Sequence, residues 1–354
     1  MRILVIQQKR IGDVLTSTII CNNLKAKFPD STIDYMCYPN SIDVLTENPN
    51  IDNIIPVTNK IRKSTFGFIK FIFEIRRKKY DAVIDVYSKL GTNLITFFSG
   101  AKFKVSYHKW YSNIFYNYSY ERFDAIKSEY GLAIENRLLL LKPFFTEKIT
   151  NVKPKIYLKE SEIAEAKNIL NSYNIDPEKP LIMFGILGSE HYKTYPLDGM
   201  AKIIDFTVAK TNATILFNYI PNQKEQALEV YNHCSDETKK HIIFDLYATD
   251  LRQFLAILSQ CEMLIGNEGG AVNMAKALEI PTFSIFTPSV RKETWQLFEN
   301  EAKNVSVHLK DLKPEIYEKH TEQYIKEHTF EYYAEYPLEL MLKKLETYFQ
   351  EYKN

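Results

Sequence analysis

Short apolar runs alternate with helix-spaced apolar positions from the first residues to about residue 300. That alternation predicts βαβ units and parallel sheets, hence an α/β chain. In the first half, Arg2–Ile6, Thr32–Cys37, 82–86 and a run near 104–107 read as strands. After the first of them Val14, Leu15, Thr18, Ile19 and Leu24 share a helical face until Pro29 stops the pattern. A second series follows the Pro-containing stretch 142–154, with strands expected at 181–186, Thr214–Phe217, 241–244, 263–266 and 282–286. The expected organisation is therefore an N-terminal domain over 1–150 and a C-terminal domain over 151–330. In 331–354, Leu338, Met341, Leu342, Leu345 and Phe349 form an amphipathic helical stripe. Because five strands already complete the second domain, this helix is expected to pack back onto the first.

Composition narrows the classes. Apolar residues are 45% and charged residues 25% of 354, and 45 Lys and Arg against 44 Asp and Glu leave a net charge of +1. Neither a disordered chain nor a globally basic nucleic-acid binder fits those values. The first apolar run is too short for a signal peptide or a membrane span, and 66–75 contains Lys70 and Glu74, so a soluble, cytoplasmic protein is expected. Cys21, Cys37, Cys234 and Cys261 form no C-x-x-C pair and read as reduced, buried thiols. Charge is concentrated locally in 60–80, where Lys60, Arg62, Lys63, Lys70, Arg76, Arg77, Lys78 and Lys79 face Glu74 alone. Interleaved Phe66, Phe68, Ile69, Phe71, Ile72, Phe73 and Ile75 make this a basic amphipathic helix. It reads either as a helix packed on the core with a solvated basic face or as one that rests on an anionic membrane.

Candidate chemistry sits where predicted strands end. The first turn carries Gly12 and Asp13 but not G-x-G-x-x-G, which argues against a nicotinamide dehydrogenase. Gly12 is expected to let the backbone turn tightly, and Asp13 reads either as a helix cap or as a catalytic carboxylate. In 185–196, Gly188 and Ser189 free the backbone to approach a ligand, and Lys193 supplies a point charge suited to phosphate. In 265–278, Glu268, Gly269, Gly270 and Asn273 mark a strand, a double glycine and a helix, which read as an anion site or as an ordinary tight turn. No Asp-x-Asp and no H-x-x-x-H pair occurs, so no metal site and no cofactor are expected.

Together these motifs resemble glycosyltransferase family 9, the ADP-heptose:lipopolysaccharide heptosyltransferases. The resemblance runs from Arg2-Ile-Leu-Val-Ile and Ile11-Gly-Asp-Val-Leu through Tyr80-Asp-Ala-Val-Ile-Asp85 and Lys193-x-Tyr195-Pro196. It ends with Glu268-Gly-Gly-Ala-Val-Asn273, Ala277-Leu278 and 281–288. It implies two Rossmann-like doubly wound domains facing a cleft, the GT-B type, with acceptor bound by the N-terminal domain and nucleotide-sugar by the C-terminal one. Asp13 would be the catalytic base, Lys193 the diphosphate ligand, Glu225 a ribose ligand, and Gly12 and Lys89 acceptor contacts. Glu268 and Asn273 stand where the family usually has Asp and His; Asn273 can hydrogen-bond a phosphate but supplies no positive charge. The implied activity is inverting, metal-independent transfer of heptose from ADP-heptose to a lipopolysaccharide or lipooligosaccharide core sugar. Its partners would be the nucleotide-sugar, a glycolipid acceptor and, at 60–80, the inner membrane. A transferase for another nucleotide-sugar or acceptor, a nucleotide-sugar epimerase and a non-catalytic nucleotide-sugar-binding protein are the alternatives.

Overall fold

The structure, a computed structural model, describes residues 1–300 and 302–353. The chain divides into two compact units, Met1–Tyr157 and Leu158–Asn354. The first holds a six-stranded parallel sheet of β1 (Arg2–Ile6), β2 (Thr32–Cys37), β3 (Asn53–Pro56), β4 (Ala82–Asp85), β5 (Phe103–Tyr107) and β6 (Tyr118–Tyr120). Their spatial order is β3-β2-β1-β4-β5-β6. The second repeats the plan with β7 (Leu181–Gly185), β8 (Thr214–Phe217), β9 (Ile242–Ile243), β10 (Met263–Asn267), β11 (Thr282–Ile285) and β12 (Asn304–Val307). There the order is β12-β11-β10-β7-β8-β9, again parallel throughout.

Ile3, Leu4, Val5 and Ile6 are fully buried because β1 lies in the middle of its sheet with helices over both faces. Central strands of that kind are continuous apolar runs. The three strands not anticipated, β3, β6 and β12, are all sheet edges of three or four residues. β3 ends in Pro56, whose missing N–H is tolerated where no further strand pairs. Within β2, Asp34 is fully buried; burial alone would raise its carboxyl, but Tyr80, Asn53 and Arg2 donate to it and hold it below the usual range.

Two expectations about helices change. The stretch 60–80 is two helices, Asn59–Lys63 and Thr65–Arg77, separated by Ser64, whose hydroxyl caps the second by accepting the Gly67 N–H at 3.0 Å. The terminal helix, Leu338–Lys353, does not serve the first domain as expected. Met341, Leu345, Tyr348 and Phe349 are buried in the second unit's own core, and Lys210 pairs with Glu346 at 2.5 Å. β11 and the edge strand β12 leave apolar side chains there, Phe283 and Val305 among them, which this stripe covers.

Candidate active site

In a doubly wound sheet, ligands bind beyond the carboxyl ends of the strands where the strand order reverses. In the first unit that point lies between β1 and β4, so the loops after them border it. Each loop contains a non-glycine residue in the left-handed region, Arg10 with φ 63° and Ser88 with φ 48°. Such backbones cost about 1–3 kcal/mol each and persist only where surrounding bonds hold them. The tight turn is therefore made at Arg10 and not at Gly12. Gly12 is the buried second residue of the helix Ile11–Lys27, and its carbonyl accepts the Thr16 hydroxyl at 2.8 Å.

Asp13 lies in the first turn of that helix, yet it caps nothing, since the N-cap is Arg10 and no side chain closes it. Its Oδ1 accepts from Arg137 Nη2 at 2.9 Å, and the same nitrogen reaches the Asp13 carbonyl at 3.1 Å. Arg137 is buried; its other nitrogens donate to the Ser17 hydroxyl at 2.8 Å and the Ala133 carbonyl at 2.6 Å. Four bonds thus fix the guanidinium, which fixes the carboxylate. Asp13 Oδ2 has no hydrogen-bond partner among the described residues, and about a quarter of the side chain (28%) is open to solvent. An oriented carboxylate with one free oxygen is what a general base requires.

Across the switch point, Asp85 ends β4 and shapes the loop that carries Lys89. It accepts the Ser88 N–H at 2.8 Å and the Tyr116 hydroxyl at 2.8 Å. Lys109 donates to the Ser88 carbonyl. Lys89 itself is exposed at the start of the helix Leu90–Phe98. Complete burial raises the Asp85 carboxyl to about 6 against these bonds. The folded state therefore holds this proton more tightly than the unfolded chain. The resulting stability is full below the unfolded value of about 4 and lost as pH rises through about 6, an effect of at most roughly 3 kcal/mol. Asp85→Asn should flatten that fall while keeping the Ser88 bond. Urea unfolding of both proteins across about pH 4 to 7 checks it; parallel pH profiles would remove Asp85 as the source.

The second unit reverses order between β7 and β10, and again two loops border the point. Asn267, buried at the end of β10, joins them: its Oδ1 accepts the Tyr195 N–H at 2.8 Å and its Nδ2 donates to the Gly185 and Ile186 carbonyls, both at 3.0 Å. Gly266, with φ 146°, lies against the Gly185 carbonyl so closely that a Cβ would collide. A Cβ on Gly188 would strike the Lys193 carbonyl, and the Gly188 N–H is held by the Thr194 hydroxyl at 3.0 Å. The loop therefore folds back on itself and ends in the short turn His191–Lys193. Lys193 is half-buried and makes no ion pair among the described residues. Ser189 is exposed in the same loop.

Glu268 and Gly269 lead into the helix Gly270–Ala277, whose opening N–H groups have no intrahelical acceptor. Burial raises the Glu268 carboxyl, while the charges of Lys193 and Lys276 pull it back. Glu268 and Lys193 thus share one electrostatic neighbourhood. Asn273 is buried, and its Nδ2 donates to the Gly269 carbonyl at 3.2 Å. That bond holds the glycine turn with one of the two amide hydrogens, while the buried Oδ1 has no hydrogen-bond partner among the described residues. Glu225 is exposed in the first turn of the helix Lys224–His233, and Gln223 just before it reaches the Gly188 carbonyl at 3.5 Å.

Sequence reasoning missed Arg137, Asn267 and the backing of the lysine turn, where the Thr287 hydroxyl donates to the Tyr192 carbonyl at 3.0 Å and the Tyr333 hydroxyl reaches it at 3.4 Å. Arg137 had a signal: it is a lone cation inside the apolar helical run that ends in Leu138 to Leu141.

Each unit thus carries one switch-point site, the first with a clamped carboxylate and the second with a lysine, an acid and a glycine-led helix. The model of glycosyltransferase family 9 (heptosyltransferase) matches residues 68–325, and the chain belongs to that family. Lipopolysaccharide heptosyltransferase 3 of Escherichia coli is 23% identical over 288 residues, covering 78% of this chain and 80% of the relative. A family 9 glycosyltransferase structure from Veillonella parvula superposes with a TM-score of 0.72 at 20% identity, covering 90% of this chain and 88% of that one. The E. coli heptosyltransferase WaaC with ADP-2-deoxy-2-fluoro heptose gives 0.64 at 16% identity, covering 90% and 100%. Among the described residues no helix is long and apolar enough to cross a membrane.

Proposed function

We propose that this glycosyltransferase moves a heptose from ADP-heptose to a sugar of the lipopolysaccharide or lipooligosaccharide core, with inversion and without a metal ion. The acceptor is a glycolipid, and the work is done in the cytoplasm at the inner membrane. The observation that carries the reading is the Asp13 carboxylate, oriented by Arg137 through one oxygen and open at the other. The relatives' names and the ADP-heptose analogue held by WaaC point to the donor. Asp13 takes the proton of the acceptor hydroxyl, and that oxygen attacks the anomeric carbon from the face opposite the diphosphate. Lys193 and the N–H groups opening the helix Gly270–Ala277 receive the growing negative charge on the leaving diphosphate.

Nucleotide-sugars screened by thermal unfolding test the donor, since a ligand at 100 times its Kd adds about 2.7 kcal/mol of stability. ADP-heptose should raise Tm more than UDP- or GDP-sugars. Anomeric analysis of the product should show inversion, and EDTA should leave the rate unchanged. Preference for another nucleotide, release of free sugar, or no turnover would select, in that order, the other transferases, an epimerase-like reaction or a binding protein.

A further inference from the structure

We propose that the first unit docks on an anionic lipid bilayer through a surface of exposed apolar side chains ringed by cations, adjoining the edge that carries Asp13. The inference rests on the glycolipid reading above and specifies where and how the membrane is met. The helix Thr65–Arg77 supplies the first part. Its Phe71, Ile72 and Ile75 pack into the core, which accounts for a packing helix. Phe66, Ile69 and Phe73, spaced three and four residues apart on the other face, are nevertheless 79%, 47% and 58% exposed. A packing role does not explain them.

The surface extends beyond this helix. Phe68 lies 3.7 Å from the place of a Cβ on Gly91, and Arg76 Nη1 donates to the Phe98 carbonyl at 3.1 Å, so the helix Leu90–Phe98 lies alongside. Leu90 is exposed there, and Phe97 meets Phe115 with ring centroids 5.7 Å apart. The segment around Phe115 presents Trp110 and Ile114, 88% and 77% exposed. Isolated exposed apolar residues are ordinary, but so many gathered on adjoining segments point to an interaction site.

Topology connects this surface to the acceptor edge. Phe66 stands at the start of the helix Thr65–Arg77 after β3, Leu90 at the start of the one after β4, and Trp110 three residues after β5. In a parallel sheet those starting points all lie at the carboxyl ends of the strands, where the Asp13 loop also lies.

Charge selects the occupant. Lys60, Lys63, Lys70, Arg76, Arg77 and Lys79 are exposed around the helix. Two copies of the surface would set cations against cations. An anionic bilayer neutralises them, while the apolar and aromatic side chains enter the headgroup boundary. Aliphatic Ile69, Leu90 and Ile114 offer nothing for nucleic-acid bases to stack upon.

The test uses the full chain with vesicles of phosphatidylglycerol and phosphatidylcholine, without acceptor. Trp110 is one of two tryptophans, so a Trp295→Phe background reports its environment alone. Its emission should shift to the blue with anionic vesicles and remain unchanged with neutral ones. Binding should weaken with salt, as the Debye length falls from about 10 Å at 0.1 M to about 3 Å at 1 M. Phe66→Ser/Trp110→Ser/Ile114→Ser should keep the native Tm, lower vesicle binding at least about tenfold, and lose turnover on vesicle-embedded glycolipid while keeping it on the deacylated, water-soluble acceptor. Absence of vesicle binding by the native chain, equal binding by the variant, or a native dimer that the variant abolishes would overturn the docking. Vesicle binding without turnover on any saccharide acceptor would instead overturn the function on which it rests.

Discussion

Asp13→Asn should lower turnover by about 10² to 10⁴-fold while leaving donor affinity and fold intact, the range expected for loss of a general base. Asparagine keeps an Oδ1 that can accept from Arg137 at the native 2.9 Å, so the buried guanidinium retains its partner and its remaining bonds. What disappears is the basicity of the free oxygen. Asp13→Ala differs, because it leaves Arg137 buried without its carboxylate, and breaking a buried ion pair on one side costs about 3–5 kcal/mol; partial exposure of Asp13 places the expected loss at the lower end of that range. Steady-state kinetics together with urea unfolding separate the two effects. Near-native turnover by a normally folded Asp13→Asn protein would reduce Asp13 to a structural partner of Arg137.

The fold was legible where burial is two-sided. β1, β4, β7 and β10 are central, their apolar runs are continuous, and glycine or a polar residue follows at the carboxyl end. β3 and β6 escaped notice because an edge strand of three or four residues needs only one neighbour and can carry Asn53, Pro56 or Ser119. The candidate site divides in the same way. Asp13, Lys193 and Glu268 stand in short polar breaks after apolar runs, so sequence alone places them at strand ends. Arg137 lies 124 residues beyond Asp13, and Asn267 acts on Tyr195 from 72 residues away; such pairings follow from which strands become neighbours. The glycine at 12 misled because its neighbour Arg10 takes the left-handed backbone instead. In the basic stretch, periodicity revealed an amphipathic helix but not that apolar residues occupy both of its faces.

Lys193→Ala should weaken nucleoside diphosphate binding about tenfold and lower turnover further, by about 10² to 10³-fold. The asymmetry is the point: charge on the diphosphate grows as the glycosidic bond breaks, so a cation contributes more in the transition state than in the bound donor. The lysine turn is held by Thr194, Thr287 and Tyr333 through backbone groups, so truncating the side chain leaves its scaffold in place. Glu268 provides an internal control. As its carboxyl loses a proton, a negative charge appears in the neighbourhood of Lys193 and competes with the ligand. Nucleoside diphosphate affinity should therefore fall as pH rises through the raised Glu268 titration, and Glu268→Gln should abolish that part of the fall. In Lys193→Ala the same titration still opposes the anion, but without the lysine's attraction affinity stays low at every pH. Calorimetry of the diphosphate against the native chain and both variants, in one buffer series, reads all three outcomes. Unchanged affinity in Lys193→Ala would move the phosphate site away from this turn, toward the amides that open the helix Gly270–Ala277.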